Sequence, residues 1–161
     1  MYLGNRTAQV KFLGRGNTGG DAVVYLPDTG VLATGDLVVS PYPYGLGSYY
    51  GEWLATLRRL SKMDVHVLMP GHGEIQHDKS YVLQLIRLLE RLQAQVSAAA
   101  RAGRSLEETR HSVTMADEKS ELCARSAFPA WCESGFQRYF IEPAIERSYR
   151  EAREGPLKSE D

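Results

Sequence analysis

The chain has 161 residues, 43% of them hydrophobic and 24% charged, with a formal net charge of -1, which is the profile of one globular domain with a sizeable core. That balance argues against a basic surface made for nucleic acid or anionic membrane, and no apolar run approaches the roughly 20 residues of a spanning helix. Residues 1–6 lack the charged-then-apolar layout of a signal peptide, so a soluble, cytoplasmic protein without nucleic-acid or membrane partners is expected.

Residues 7–13 alternate polar and apolar side chains, with Ala8, Val10 and Phe12 on one face, which predicts a strand. Gly4-Asn5 ahead of it is a turn signal. Only residues 1–3 are left to form the strand before that turn, so the sequence is expected to begin inside a sheet. A glycine-rich stretch follows, Gly14-Arg15-Gly16-Asn17-Thr18-Gly19-Gly20-Asp21. Residues 22–26 are β-branched and apolar enough for a buried strand. Pro27-Asp28-Thr29-Gly30 has turn chemistry, and residues 31–34 return as the second strand of a hairpin that delivers Gly35-Asp36. Residues 41–51 read as a long ordered loop. Its Tyr42, Tyr44, Tyr49 and Tyr50 either wall a pocket or, the expected role, cover the sheet.

A helix is predicted over residues 52–62, with Trp53, Leu57 and Leu60 on one stripe. Residues 65–69 form a short strand ended by Pro70-Gly71. A long amphipathic helix is predicted over 81–102 from the spacing of Val82, Leu85, Leu89, Leu92 and Val96, with Gly103 as its stop. Ser105 followed by Glu108 predicts a capping box for a short helix through His111. The last helical region spans 133–153, with Phe136, Phe140, Ile145 and Tyr149 on its buried face and Pro143 kinking or dividing it. Residues 155–161 are expected to fray. Cys123 and Cys132 match no common zinc pattern; two free thiols are expected, a disulfide only if the backbone turns back there. Strands dominate the first seventy residues and helices the rest. This predicts a single α/β domain over residues 1–154, with helices laid on a mixed sheet.

Three short glycine-rich segments follow predicted strands: the one through Asn17, Thr34-Gly35-Asp36, and Pro70-Gly71-His72-Gly73. A carboxylate and an imidazole are donors that zinc and iron accept, above all when anchored on stiff strand ends. Taken singly, Asp36 reads as a cap or turn residue and His72 as a turn histidine bonded to nearby backbone. Their order and spacing together carry more.

In that order, with these elements between them, the motifs resemble the second half of a metallo-β-lactamase-fold hydrolase. In that superfamily a strand leads to a Gly-x-x-His-Thr-x-Gly-Asp loop, a hairpin reaches Thr-Gly-Asp, and a later strand ends in Pro-Gly-His-Gly. The resemblance covers residues 3 to about 110 and implies half of an αβ/βα sandwich, a mixed sheet covered by helices with a helical C-terminus. Asp36 stands where the family has the aspartate that bridges two metal ions. His72 stands where it has the last histidine of the second metal site. Asn17 replaces the histidine of the first site; its amide is a poor zinc ligand, suited instead to a metal-bound water or a substrate carbonyl. Asp21 resembles a residue that supports the ligand loops from behind, and Thr18 and His77 are further candidates for the site's lining. The family's His-x-His-x-Asp-His motif is absent from the sequence. His66, read as an ordinary strand residue, and His111, read as a helix-surface residue, do not replace it.

The resemblance implies metal-assisted hydrolysis of an ester, thioester or lactam-type bond, with zinc as the cofactor. A catalytic zinc usually takes three protein ligands, and this sequence offers two. The chain is therefore expected to hold zinc weakly or not at all by itself, and to be incomplete or inactive without an N-terminal half from upstream or from another polypeptide. The alternative is a non-catalytic, homo-oligomeric binding or assembly module whose half-sheet pairs with itself. A third reading has two chains sharing one ion, each bringing Asp36 and His72.

Overall fold

The computed structural model describes residues 2–124 and 126–158. A two-stranded hairpin, β1 (Tyr2–Leu3) and β2 (Arg6–Thr7), turns at Gly4-Asn5 as expected, with Gly4 at φ 67°. The main sheet is built from β3 (Gln9–Phe12), β4 (Ala22–Leu26), β5 (Val31–Val39) and β6 (Val67–His72), in that spatial order. β3, β4 and β5 are antiparallel neighbours, and β5 and β6 run parallel. The sheet is thus mixed, and the connection between β5 and β6 carries helix α1 (Tyr50–Ser61), as a parallel pair requires.

Alternation sorts every strand into two faces. The face made by Tyr25, Leu32 and Leu68 is covered by helices; Leu32 and Leu68 are fully buried. α1 lays Trp53, Leu57 and Leu60 on it, all fully buried, and Trp53 donates its indole N–H to the Leu37 carbonyl at 3.1 Å. α2 (Ser80–Arg101) follows with Val82, Leu85, Leu89, Leu92 and Val96 inward. The Tyr81 hydroxyl donates to the Val39 carbonyl at 2.6 Å, which ties α2 to the end of β5.

The opposite face has no cover among the described residues. One row crosses the whole sheet in register, Val10, Val24, Ala33 and Met69. Val10 is 59% exposed, Val24 39% and Met69 43%, and beside them Phe12 is 61% exposed. Val10 and Phe12 do share a face, but it is this open one, whereas Ala8 is buried. The strand expected to be buried over residues 22–26 is half-buried for the same reason.

The remaining helices are α3 (Leu106–Ser112), α4 (Ala116–Cys123), α5 (Pro129–Phe136) and α6 (Glu142–Glu154). α3 starts with the expected capping box between Ser105 and Glu108, and Gly103 at φ 74° ends α2. α4 was not legible; its eight residues carry only two buried side chains. The last region is divided just ahead of Pro143. Residues Gln137–Ile141 form a π-helical turn ahead of it, in which the Glu142 N–H reaches back to the Gln137 carbonyl, and the proline sits harmlessly in the first turn of α6.

Two expectations are corrected in this part. Cys123 and Cys132 are not free thiols: they form a disulfide with Cα atoms 5.5 Å apart, because the chain turns back between α4 and α5. The tail is docked rather than frayed as far as Leu157, which is 4% exposed and whose carbonyl accepts from Arg15 at 3.0 Å. Residues 159–161 of that predicted tail lie outside the described residues. No helix is long and apolar enough to cross a membrane among the described residues.

Candidate active site

The parallel pairing of β5 and β6 brings their C-terminal ends to one edge of the sheet. Gly35 pairs with Pro70 and Val39 with His72, with irregular register between them. Asp36 therefore lies inside β5 at a bulge rather than on a loop after the strand, and His72 is the last residue of β6. Gly35 takes φ 52° at this bulge, a conformation that favours glycine. The bulge re-aims the strand at the point where it presents a carboxylate.

The two side chains meet, with His72 Nε2 at 3.7 Å from Asp36 Oδ1. Both are open to solvent, 72% and 43% exposed respectively. Gly71 makes the approach possible, because a Cβ there would overlap the Asp36 carboxylate and crowd the backbone of Gly35. Hydrogen bonds to the backbone carbonyls of β6 hold the pair from either side. The Thr34 hydroxyl donates to the Met69 carbonyl at 3.2 Å, and the Ser40 N–H donates to the His72 carbonyl at 3.1 Å.

The first glycine segment, between β3 and β4, is a loop braced from within. Asp21 accepts from the Thr18 N–H at 2.9 Å and from the Thr18 hydroxyl at 2.7 Å, so Asp21 does support the loop that carries Asn17. Gly16 packs against Leu37 and Trp53 so closely that a Cβ would strike both, which seats the loop on β5 one residue beyond Asp36. Its outer side is held by α1: the Thr56 hydroxyl and the Arg59 guanidinium donate to the carbonyls of Arg15 and Leu13, each at 2.8 Å. Arg15 itself pairs with Glu52 and lies 4.1 Å over the Tyr49 ring. Hydrogen bonding to Arg15 holds the Glu52 carboxyl below its ordinary value.

Asn17 has a partner that sequence reasoning missed. Ser48, fully buried, donates its hydroxyl to Asn17 Oδ1 at 3.2 Å. The Ser48 carbonyl in turn accepts from Arg147 Nε on α6 at 2.7 Å. No short-range signal links these residues, since they lie 31 and 99 positions apart. Three of the four tyrosines of the intervening segment, Tyr42, Tyr49 and Tyr50, are buried, and Tyr44 is 40% exposed; Tyr42 packs on Phe136 and Tyr50 on Trp53 and Phe140.

The structure thus brings Asp36 to His72, and Thr18 to Asp21, while Asn17 is engaged by Ser48. His77 is exposed in the connection between β6 and α2. His66 precedes β6 instead of lying in it, with its ring 4.0 Å from Asp64. His111 is 78% exposed and sits 3.2 Å from Glu107 on α3, a helix-surface residue as expected. No group of three or more His, Cys, Asp or Glu side chains able to hold a metal occurs among the described residues. Asp36 and His72 have the donor chemistry for zinc and leave room for it, yet two donors fall short of the usual three. The described residues fit one side of a metal centre and do not complete it.

Comparison with known proteins matches this half of the chain. The model of the metallo-beta-lactamase superfamily matches residues 2–72, ending on His72. A metallo-beta-lactamase type 2 of Bacillus sp. (strain 170) is 32% identical over 96 residues, which is 56% of this chain and 37% of that protein. The metallo-beta-lactamase type 2 of Bacillus cereus is likewise 32% identical over 96 residues. The chain spans a little over a third of the length of these curated relatives. Among solved structures, a metallo-beta-lactamase from Pontibacter korlensis is 30% identical, covering 56% of this chain and 44% of that one, with a TM-score of 0.48. Through its sheet and glycine-rich segments the chain is similar to the metallo-beta-lactamase superfamily.

Proposed function

We propose that this chain supplies the Asp36–His72 side of a zinc-type hydrolase site, and the sheet on which the layer bearing the remaining ligands stacks. The carrying observation is a juxtaposition. Asp36 and His72 converge at the edge of a sheet whose uncovered face is entirely apolar in the row Val10, Val24, Ala33, Met69. A large apolar sheet face calls for a second layer. A second layer placed there brings its own side chains to the rim where Asp36 and His72 wait. The rest of a longer polypeptide, or a separate one, supplies it.

Asp36 and His72 would hold one side of a zinc ion whose chemistry would be Lewis-acid assistance to hydrolysis of an ester, thioester or lactam-type bond. This chain's own residues do the rest of what can be assigned to it. The Asp36 carboxylate and the His72 imidazole hold one side of the site. The Asp21–Thr18 brace and the Ser48 bond keep the Asn17 loop in one conformation beside it. Chain alone, by this reading, binds zinc weakly and turns nothing over. The test is titration with zinc, alone and after mixing with a polypeptide that carries a His-x-His-x-Asp-His sheet layer. Tight binding and ester or lactam hydrolysis should emerge only in the mixture and vanish with Asp36→Ala or His72→Ala. Mixtures in which those two substitutions change nothing would sink the assignment.

The same open face supports a second reading, self-association into a homo-oligomer with no catalytic role. Light scattering separates the two, since a stable dimer that refuses the complementing layer favours the second. A cytoplasmic location stands as an expectation only, and the Cys123–Cys132 disulfide favours an oxidising compartment instead.

A further inference from the structure

One residue along the chain from His72 lies a groove of about 370 Å³ that neither Asp36 nor His72 lines. We propose that it is the subsite for an uncharged aryl or short acyl arm of the substrate. The proposal rests on the reading of Asp36 and His72 as the reacting centre, because it is their position that makes the groove a subsite.

Continuity comes first. The groove begins one residue after His72, at Gly73, and its near wall is Ser40-Pro41. Ser40 donates its N–H to the His72 carbonyl, and Gly73, at φ 93°, packs so tightly on Ser40 that a Cβ there would clash with it. The near wall of the groove is thus continuous with the backbone that carries His72.

Chemistry comes second. The apolar lining is Pro41, Ile75, Tyr81, Leu122, Ala127 and Phe128. Ile75 and Phe128 are 52% and 72% exposed, and such side chains are shielded once a ligand fills the space between them. Among the described lining residues Glu74 is the one carboxylate, and there is no lysine, arginine or histidine. An anionic arm is therefore disfavoured and a neutral one admitted. The volume suits one aromatic ring or a short acyl chain, at the small end of roughly 300–1,000 Å³ for ligand sites.

Rigidity comes third. The far wall, Ser126 to Phe128, is not a free loop. The disulfide closes the segment from Cys123 to Cys132. Inside it the Ser126 N–H donates to the Cys123 carbonyl at 3.0 Å, and the Phe128 N–H to the Ser126 hydroxyl at 3.1 Å. Trp131 of the same segment rests on Tyr42 with ring centroids 5.8 Å apart. The opposite wall is fixed by Gln76, which exchanges two backbone bonds with Leu68. Both walls are held in place before any ligand arrives, which lowers the ordering cost of binding.

The experiment is an amide NMR titration of the disulfide-bonded chain with 3-phenylpropan-1-ol, with propan-1-ol as the ring-free control. Saturable shifts are expected at Gly73, Glu74, Ala127 and Phe128 with the aryl alcohol and not with propan-1-ol. Phe128→Ser, a change at an exposed side chain that leaves the core intact, should weaken the effect at least fivefold. Shifts confined to Val10, Val24 and Met69, or unchanged affinity in Phe128→Ser, would overturn the proposal, as would no saturable shift at all. No metal or second layer takes part in this titration. A chain that binds the ring in the groove but never gains zinc when mixed would sink the proposed hydrolase site and leave the aryl-binding groove standing.

Discussion

The two faces of the main sheet are made by alternate residues of the same four strands and meet opposite fates. Leu32 and Leu68 are sealed under α1 and α2, while their immediate neighbours Ala33 and Met69 look outward. In β5 and β6 apolar side chains stand on both faces, and what separates these is cover. Had the outward face been a finished surface, alternation would place polar side chains there, as in a sheet with one solvated side. Its apolar rows mean that the strands are written for cover on both sides, and that this chain's described residues provide it on one.

The largest test of that contrast is a pair of truncations. Leu68→Ala should cost about 3 kcal/mol by urea unfolding, the ordinary range for a large-to-small change in a packed core. Met69→Ala, one residue along and 43% exposed, should cost less than about 1 kcal/mol in the isolated chain. Equal costs would mean that the open face is covered in solution, and sedimentation would then identify a second copy as the cover. Next in size, replacing both Cys123 and Cys132 by Ser removes a cross-link between residues nine apart and should cost about 2–3 kcal/mol on a loop-closure estimate. Thiol alkylation of the purified native protein should label neither cysteine; prompt labelling of both would discard this staple and the oxidising compartment together.

Gly71→Ala comes below these. The added methyl overlaps the Asp36 carboxylate, and overpacking of this kind costs about 1–3 kcal/mol. Its particular signature is functional: zinc binding in the complemented protein should fall as far as in Asp36→Ala, which a merely structural role for Gly71 would not produce. Val24→Lys sharpens the comparison from the other side. A lysine on the open face should change the stability of the isolated chain by no more than about 0.5 kcal/mol, yet prevent either a complementing layer or a second copy from seating. Light scattering that shows the variant assembling like the wild type would move the docking surface elsewhere.

What could be read in the sequence followed from period and punctuation. The repeat of Leu85, Leu89 and Leu92 placed α2 almost to the residue, and Ser105 with Glu108 placed the start of α3. The order of glycine segments led to Asp36 and His72, which do meet. Three things lay beyond that reach. Alternation in β3 gave the right face-mates, Val10 and Phe12, but periodicity carries no sign, so it could not tell a covered face from an open one. The position of Asp36 inside a continuous strand depends on the parallel partner β6, thirty residues on, which lets β5 run through its glycine bulge. The Ser48 and Arg147 supports of the Asn17 loop, and the disulfide, depend on where helices come to rest, which no local pattern encodes.

The smallest predicted effect concerns charge on the covered side. Glu151 on α6 accepts from the Gly51 N–H at 3.0 Å, and burial, the largest influence on it, raises its carboxyl above the ordinary value. The folded protein then holds a proton on Glu151 at a pH where the unfolded chain, with an ordinary value of about 4.3, has released it. Stability from this group is complete below the unfolded value and declines as pH rises through the folded one. Glu52 runs the other way: its carboxyl is lowered by Arg15, so its contribution is present above the unfolded value and is lost as pH falls through the folded one. Both groups touch the N-terminal turn of α1, and their opposite slopes partly cancel there. Glu151→Gln keeps an acceptor for Gly51 and removes only the Glu151 slope. Unfolding measured at several pH values should show the variant gaining on the wild type as pH rises from about 4 toward neutrality, with no difference at the acid end. A variant that instead loses ground at neutral pH would mean that the charged form of Glu151 is favoured in the folded state, through Arg147 and Gly51 rather than against its burial.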